Sequence, residues 1–242
     1  DYVKYGGTIV GGGLLAGCTG GDGTDTPTGA DGTPDQTATS TPTDYSVTMA
    51  PMGEVQFDSV PERWMAYFST YGDMAIALGQ LDSLGGLIFT ENWPLGFYDA
   101  LPGVDVSFDD VPQLMAESGL DKEGFYEVGA DVHLFDPNFI QLLDDTWKDE
   151  DFAEVSGNVG PIVGNSIRRR GSEWHDYEYY ELYEAFEKTA RVFQEQERYE
   201  ALASVHDDLL ATIESDLPPE EERPTVGLLS VNSDFEGGSF YA

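Results

Sequence analysis

Asp131-Val-His-Leu-Phe135, running straight into Asp136-Pro-Asn-Phe-Ile-Gln-Leu-Leu143, is the stretch that decides the fold. The first five residues are a short apolar run that suits a buried strand. Asp136 carries the side-chain oxygen an N-cap needs, and Pro137 has the fixed φ and missing N–H that suit the first helical position. Phe139, Ile140, Leu142 and Leu143 then give that helix an apolar side. A strand passing directly into a capped helix is half of a βαβ unit, the connection that parallel strands require. The same order recurs outward along the chain. Residues 64–68 read as a strand, Ser69-Thr-Tyr-Gly-Asp73 as a turn, and 74–78 as a helix closed by Gly79. Residues 84–89 form a second strand, and Asp121 caps a short helix to Val128 that Gly129 ends. Residues 159–163 form a fourth strand, and 46–49 with 53–57 a short edge hairpin. Strands alternating with helices predict an α/β lobe over 45–176. It is Rossmann-like, with a four-stranded, mainly parallel sheet within 60–165 and helices on both faces.

From Tyr177 the pattern changes. Leu182, Phe186, Ala190 and Phe193, then Leu202, Val205, Leu209 and Ile213, recur at three- and four-residue steps. This predicts a long amphipathic helical region over 177–217, stopped by Pro218-Pro219. Thr225-Val-Gly-Leu-Leu-Ser-Val231 then reads as a new buried strand outside the first sheet. A lone strand is not a finished domain, so 224–242 is expected to begin a second α/β lobe, with the helical region joining the two. On this reading the chain is a fragment of a two-lobed protein.

The opening residues have a different character. A charged start and a short glycine-rich apolar stretch lead to Leu15-Ala-Gly-Cys18, too short and glycine-rich to span a bilayer as a helix. It resembles a lipobox at the end of a truncated export signal, with Cys18 as the lipid-bearing mature N-terminus. Residues 19–44 contain only Gly, Thr, Asp, Pro, Ala, Gln and Ser, a composition that cannot offset its ordering entropy and reads as a disordered stalk. A lipid-anchored domain on a stalk places the protein at the extracellular face of the cytoplasmic membrane.

Composition sets the exclusions. With 46 acidic against 11 basic residues the formal charge is −35, so no basic stripe for nucleic acid or anionic lipid can be built. Carboxylates spread along the whole chain, with lysine only at Lys4, Lys122, Lys148 and Lys188, point to a salt-adapted protein of a haloarchaeon. The single cysteine excludes an internal disulfide framework and a cysteine zinc site. His133, His175 and His206 are not placed to converge on one metal ion, so no metal site is expected. There is no Gly-x-Ser-x-Gly elbow, Gly-x-x-x-x-Gly-Lys loop or His-Glu-x-x-His, so a surface hydrolase is only a runner-up, and no catalytic residue is assigned.

The order of lipobox, stalk, βα lobe, helical region and new strand resembles the substrate-binding lipoproteins of ABC importers for iron complexes and cobalamin. In that group two lobes are joined by one long helix. Val47-Thr-Met-Ala-Pro-Met-Gly-Glu-Val, Asp131-Val-His-Leu-Phe-Asp-Pro-Asn138, Glu173-Trp-His-Asp-Tyr-Glu-Tyr-Tyr and the stretch from Tyr183 to Tyr199 are similar to haloarchaeal members. The resemblance implies capture of an iron-siderophore-type chelate and delivery to a permease and its ATPase subunits, with no resident cofactor. Cobalamin and haem are the alternative ligands within the group.

Ligands of open α/β sheets sit beyond the carboxyl ends of the strands. Here those ends carry Tyr71, Trp93 and Asn138, and the one basic cluster, Arg168-Arg169-Arg170, follows the fourth strand with Trp174 nearby. Guanidinium forks suit carboxylate, catecholate or phosphate, and aromatic faces suit a flat chelate. The anchor reading has its own test. Cys18→Ser in the native host is expected to release the protein from the membrane fraction or leave it unprocessed. Unchanged attachment and gel mobility would contradict it.

Overall fold

The computed structural model describes residues 44–91, 93–167, 176–226, 228–230 and 239–241. The chain opens with β1 (Tyr45–Met49) and β2 (Gly53–Phe57), an antiparallel hairpin with Tyr45 opposite Phe57 and Met49 opposite Gly53. There follow β3 (Trp64–Ala66), α1 (Ser69–Ala77), β4 (Leu84–Leu87), and a small ladder of β5 (Met115–Ala116) and β6 (Gly119–Leu120). Next come α2 (Lys122–Val128), β7 (Val132–Leu134), α3 (Pro137–Leu143), α4 (Asp149–Asn158) and β8 (Ile162–Val163). Two helices, α5 (Leu182–Phe193) and α6 (Gln196–Asp216), close the lobe.

Strands β3, β4, β7 and β8 form one all-parallel sheet in the order β4-β3-β7-β8. Trp64 and Ala66 of β3 point to the same face as Val132 and Leu134 of β7, and pack with α1 and α5 side chains such as Met74, Ala75, Phe186 and Phe193. Met65 points to the opposite face, where Phe125, Val128, Ile140, Phe152 and Val155 of α2, α3 and α4 form a second cluster. Each such side chain contributes about 1.5–3 kcal/mol when removed from water. Helices thus cover both faces, as the alternation of elements predicts.

The caps at both α2 and α3 form as read. Asp121 accepts from Glu123 N, Gly129 adopts the left-handed conformation, and Asp136 accepts from Asn138 N ahead of Pro137. Three readings change. The stretch 69–73, expected as a turn, is the first part of α1. Gly72 is unfavourable inside a helix, but the Trp93 indole lies where a Cβ at residue 72 would stand, and this contact repays the glycine. Helix α4 was not foreseen. Its first turn is Asp149-Glu-Asp151, an acidic run that reads as solvated surface but complements a helix N-terminus, and Asp151 reaches back to the Lys148 amide at 2.8 Å. The helical region is two helices. Gln194 takes φ 56°, its side chain donates to Arg191 O, and α6 folds back along α5 with Tyr183 stacked on His206 and Phe186 against Tyr199.

Residues Leu202, Val205, Leu209 and Ile213 of α6 are exposed among the described residues, so their spacing is not matched by burial there. Strand β9 (Leu228–Ser230) lies outside the parallel sheet and pairs antiparallel with β10 (Ser239–Tyr241). Residues 1–43, including the lipobox, Cys18 and the expected stalk, lie outside the described residues.

His133 occupies the middle of β7 and is fully buried against Phe125 and Phe135. Its Nδ1–H donates to Gly160 O at 2.9 Å, and Nε2 has no partner among the described residues. Burial pushes its pKa down to about 4, outweighing the carbonyls that favour the charged form. The unfolded chain takes up a proton near pH 6.5 that the folded chain refuses until about pH 4. The contribution is therefore complete above 6.5 and lost as pH falls towards 4, up to about 3 kcal/mol. Urea unfolding between pH 7 and 5 is expected to show this slope, and His133→Gln to flatten it by close to one proton.

Candidate functional site

The strand order sets where a site can be. From β3 the chain steps to β4 on one side, then crosses back to β7 and β8 on the other, so the winding reverses between β3 and β7. Such a switch point leaves a crevice beyond the carboxyl ends of the two strands. A small cleft lies there, lined by Tyr67, Phe68 and Tyr71 after β3, Phe135 and Asp136 after β7, and Asn165 to Ile167 after β8. Tyr67 meets Phe139 edge-on at 5.0 Å, so two aromatic rings brace one wall.

The floor is polar and tightly bonded. Tyr71 Oη donates to Asn165 O at 2.9 Å and accepts from Asn165 N at 2.7 Å, tying α1 to the end of β8. Asn165 Nδ2 donates to Ala50 O and Glu178 O, both at 2.8 Å, while its Oδ1 has no partner among the described residues. Gly164 makes this convergence possible. It lies so close to the Phe135 backbone that a Cβ would stand 2.8 Å from Phe135 Cα. Asp136, 4% exposed, accepts from Asn138 N and Nδ2, from the Ser166 backbone and from the Tyr177 hydroxyl. Burial raises its pKa, and these donors pull the other way. The same carboxylate raises the pKa of Tyr177, after burial itself.

The sequence-selected residues separate on this geometry. Tyr71 lines the cleft, but its hydroxyl is spent on the Asn165 backbone. Trp93 is buried against α1, its ring tilted by 55° to Phe108 and its Nε1 donating to Asp73, and it is not among the residues that line the cleft. Tyr98 also donates to Asp73, whose pKa burial raises. Asn138 is half-buried at the start of α3, bonded to Asp136. Arg168, Arg169, Arg170 and Trp174 lie outside the described residues. Sequence reading passed over Tyr67, Phe68, Phe139 and Tyr177 as site residues, and read Asp136 as a helix cap and as one of the strand ends, with Gly164-Asn165-Ser166, beyond which ligand would sit. The signal for the first two was their place directly after β3. No group of three or more His, Cys, Asp or Glu able to hold a metal occurs among the described residues, and His133 sits in the core.

No family model matches the chain, and no curated protein matches it. Solved structures do. The iron uptake ABC transporter substrate-binding protein PiuA from Streptococcus pneumoniae superimposes with a TM-score of 0.53 at 16% identity, over 79% of this chain and 59% of its own. Over the matched part the two chains share one fold. Staphylococcus aureus SirA, solved with staphyloferrin B, matches with TM-score 0.49 at 14% identity over 71% of this chain and 50% of its own. The heme-binding protein HutB of Vibrio cholerae gives 0.46 at 13% over 69% and 54%. PiuA and HutB are by name binding proteins, and the chain spans about half the length of each of the three neighbours. No helix among the described residues is long and apolar enough to cross a membrane.

The Tyr71–Asn165 pair gives a stability prediction. Tyr71→Phe leaves the Asn165 N–H buried without a partner and is expected to cost about 1–3 kcal/mol, read as a shift of the urea midpoint.

Proposed function

We propose that the protein is the extracellular solute-capture component of an ABC importer, taking an iron-siderophore-type chelate and handing it to a membrane permease driven by its ATPase subunits. The observation that carries this reading is the aromatic-walled cleft at the reversal of strand order, the place where open α/β sheets take ligands. Ile167 lines that cleft, and Arg168, Arg169 and Arg170 follow it within about 11 Å of chain. A chain of −35 repels an anionic chelate everywhere except where cations are gathered, and this is its one gathered set. We assign these arginines to the ligand's anionic groups, Trp174 to stacking on its flat face, and Cys18 to a lipid anchor at the outer face of the membrane.

The test is fluorescence titration of the full-length gene product with ferric siderophores in molar salt, where the Debye length falls to about 3 Å and only close contacts survive. Submicromolar binding is expected, and Arg→Ala at 168, 169 or 170 is expected to cost about 2–5 kcal/mol for at least one position. Wild-type binding by all three variants would remove the arginine assignment. Preference for a neutral corrinoid or haem over every ferric chelate would replace the iron reading.

A further inference from the structure

The floor of the cleft has committed its donors and kept an acceptor. Tyr71 O–H donates to Asn165 O, Asn165 N–H donates back to Tyr71 Oη, and Asn165 Nδ2 is held by Ala50 O and Glu178 O. Asn165 Oδ1 is left over, on a residue that lines the cleft at 2% exposure, with no partner among the described residues. Asp136, on the same lining, accepts only from neutral groups: Asn138 N and Nδ2, the Ser166 backbone and the Tyr177 hydroxyl. Among the described residues no cationic side chain pairs with it or lines the cleft. The hydroxyls of Thr70 and Ser166, also in the lining, can serve as donor or acceptor. A buried carboxylate without a countercharge attracts a cation strongly, because little water is present to weaken the field. The open space is about 30 Å³, room for about two water-sized groups. It admits the end of an arm and not the body of a ligand.

We propose that this cleft binds a primary ammonium group on an arm of the ligand, with Asn165 Oδ1 accepting from it and the Asp136 carboxylate supplying the countercharge. That the arm belongs to a ferric chelate rests on the reading in the preceding subsection. The cationic chemistry rests on the cleft alone. An ammonium is a donor with no acceptor, so nothing it brings competes with the oxygens already there. A carboxylate or phosphate entering at this point meets the charge of Asp136 with no committed donor to offset it. A methyl group leaves Asn165 Oδ1 buried and unpaired, which forfeits a hydrogen bond. A guanidinium is too large for the space.

Asp136→Asn keeps an oxygen for the α3 cap and removes the charge. The full-length gene product is titrated in molar salt, where long-range attraction to the acidic surface is screened. The probes are the ferric complex of a linear trihydroxamate ending in a primary amine and the same complex ending in a methyl group. The amine form is expected to bind the wild type at least about tenfold more tightly, the value of one hydrogen bond to a charged group, and Asp136→Asn to erase the difference. Equal binding of the two forms by the wild type, or a preference that survives in Asp136→Asn, would overturn the proposal. A second measurement needs no chelate. In proton–nitrogen correlation NMR spectra, ethylammonium chloride is expected to shift the Asn165 side-chain and Ser166 backbone resonances of the wild type but not those of Asp136→Asn, while sodium acetate shifts neither. A shift with acetate, or none with ethylammonium, also sinks the ammonium site and leaves water as the only guest of the cleft. If neither ferric complex binds, the iron reading falls, and the NMR result decides the ammonium site by itself.

Discussion

A parallel sheet of four short strands has no face to give to water. Helices are required on both sides, because each βαβ connection must cross the sheet and each face must be covered. Trp64, Ala66, Val132 and Leu134 are consumed on one face and Met65 and His133 on the other. Polar groups are left with one place to be useful, the ends of the strands. The cleft is therefore a consequence of how the core is built.

What the strand ends hold is expensive. Asp136 and Asn165 are nearly inaccessible to solvent, and burial raises the carboxyl pKa. Both are kept by dense bonding to backbone and to Tyr177 and Asn138, with only Asn165 Oδ1 left over. In a protein of −35 the surface carboxylates are solvated and cheap, and Asp73, Asp136 and Asp144 differ from them in being bonded into the structure. Asp73 holds Trp93 and Tyr98 behind α1, and Asp136 holds the loops in front of it. The wall of the cleft is hydrogen-bonded from both sides.

Local signals were read well where the chemistry is local. Asp121 with Gly129, and Asp136 with Pro137, state a helix start or stop within a few residues, and those helices form as read. Errors came where a distant residue decides. Gly72 looks like a turn until Trp93, twenty-one positions away, fills the space above it. The break at Gln194 has no glycine or proline to announce it, and only the lapse of the apolar steps over Gln194-Glu-Gln-Glu-Arg198 marks it in the sequence. Trp93 and Tyr71 were both chosen as ligand-facing because they follow strands. Tyr71 does line the cleft, with its hydroxyl bonded to the Asn165 backbone, whereas Trp93 is held by Asp73 away from the lining.

The sequence by itself determined that this is an α/β lobe with parallel strands, covered on both faces, followed by amphipathic helices and a strand outside the sheet. Period, caps and breakers act over one or two turns and need no partner to be recognised. Only the tertiary structure decided the strand order, and with it the place where the winding reverses. Order depends on which strands bury each other best across sixty or more residues, as when Trp64 meets Val132, and no local pattern encodes it. The dual use of Asp136 has the same origin. Its capping bond lies two residues away in sequence and was legible, whereas the bond to Tyr177 spans forty-one residues and exists only once β7 and β8 lie side by side.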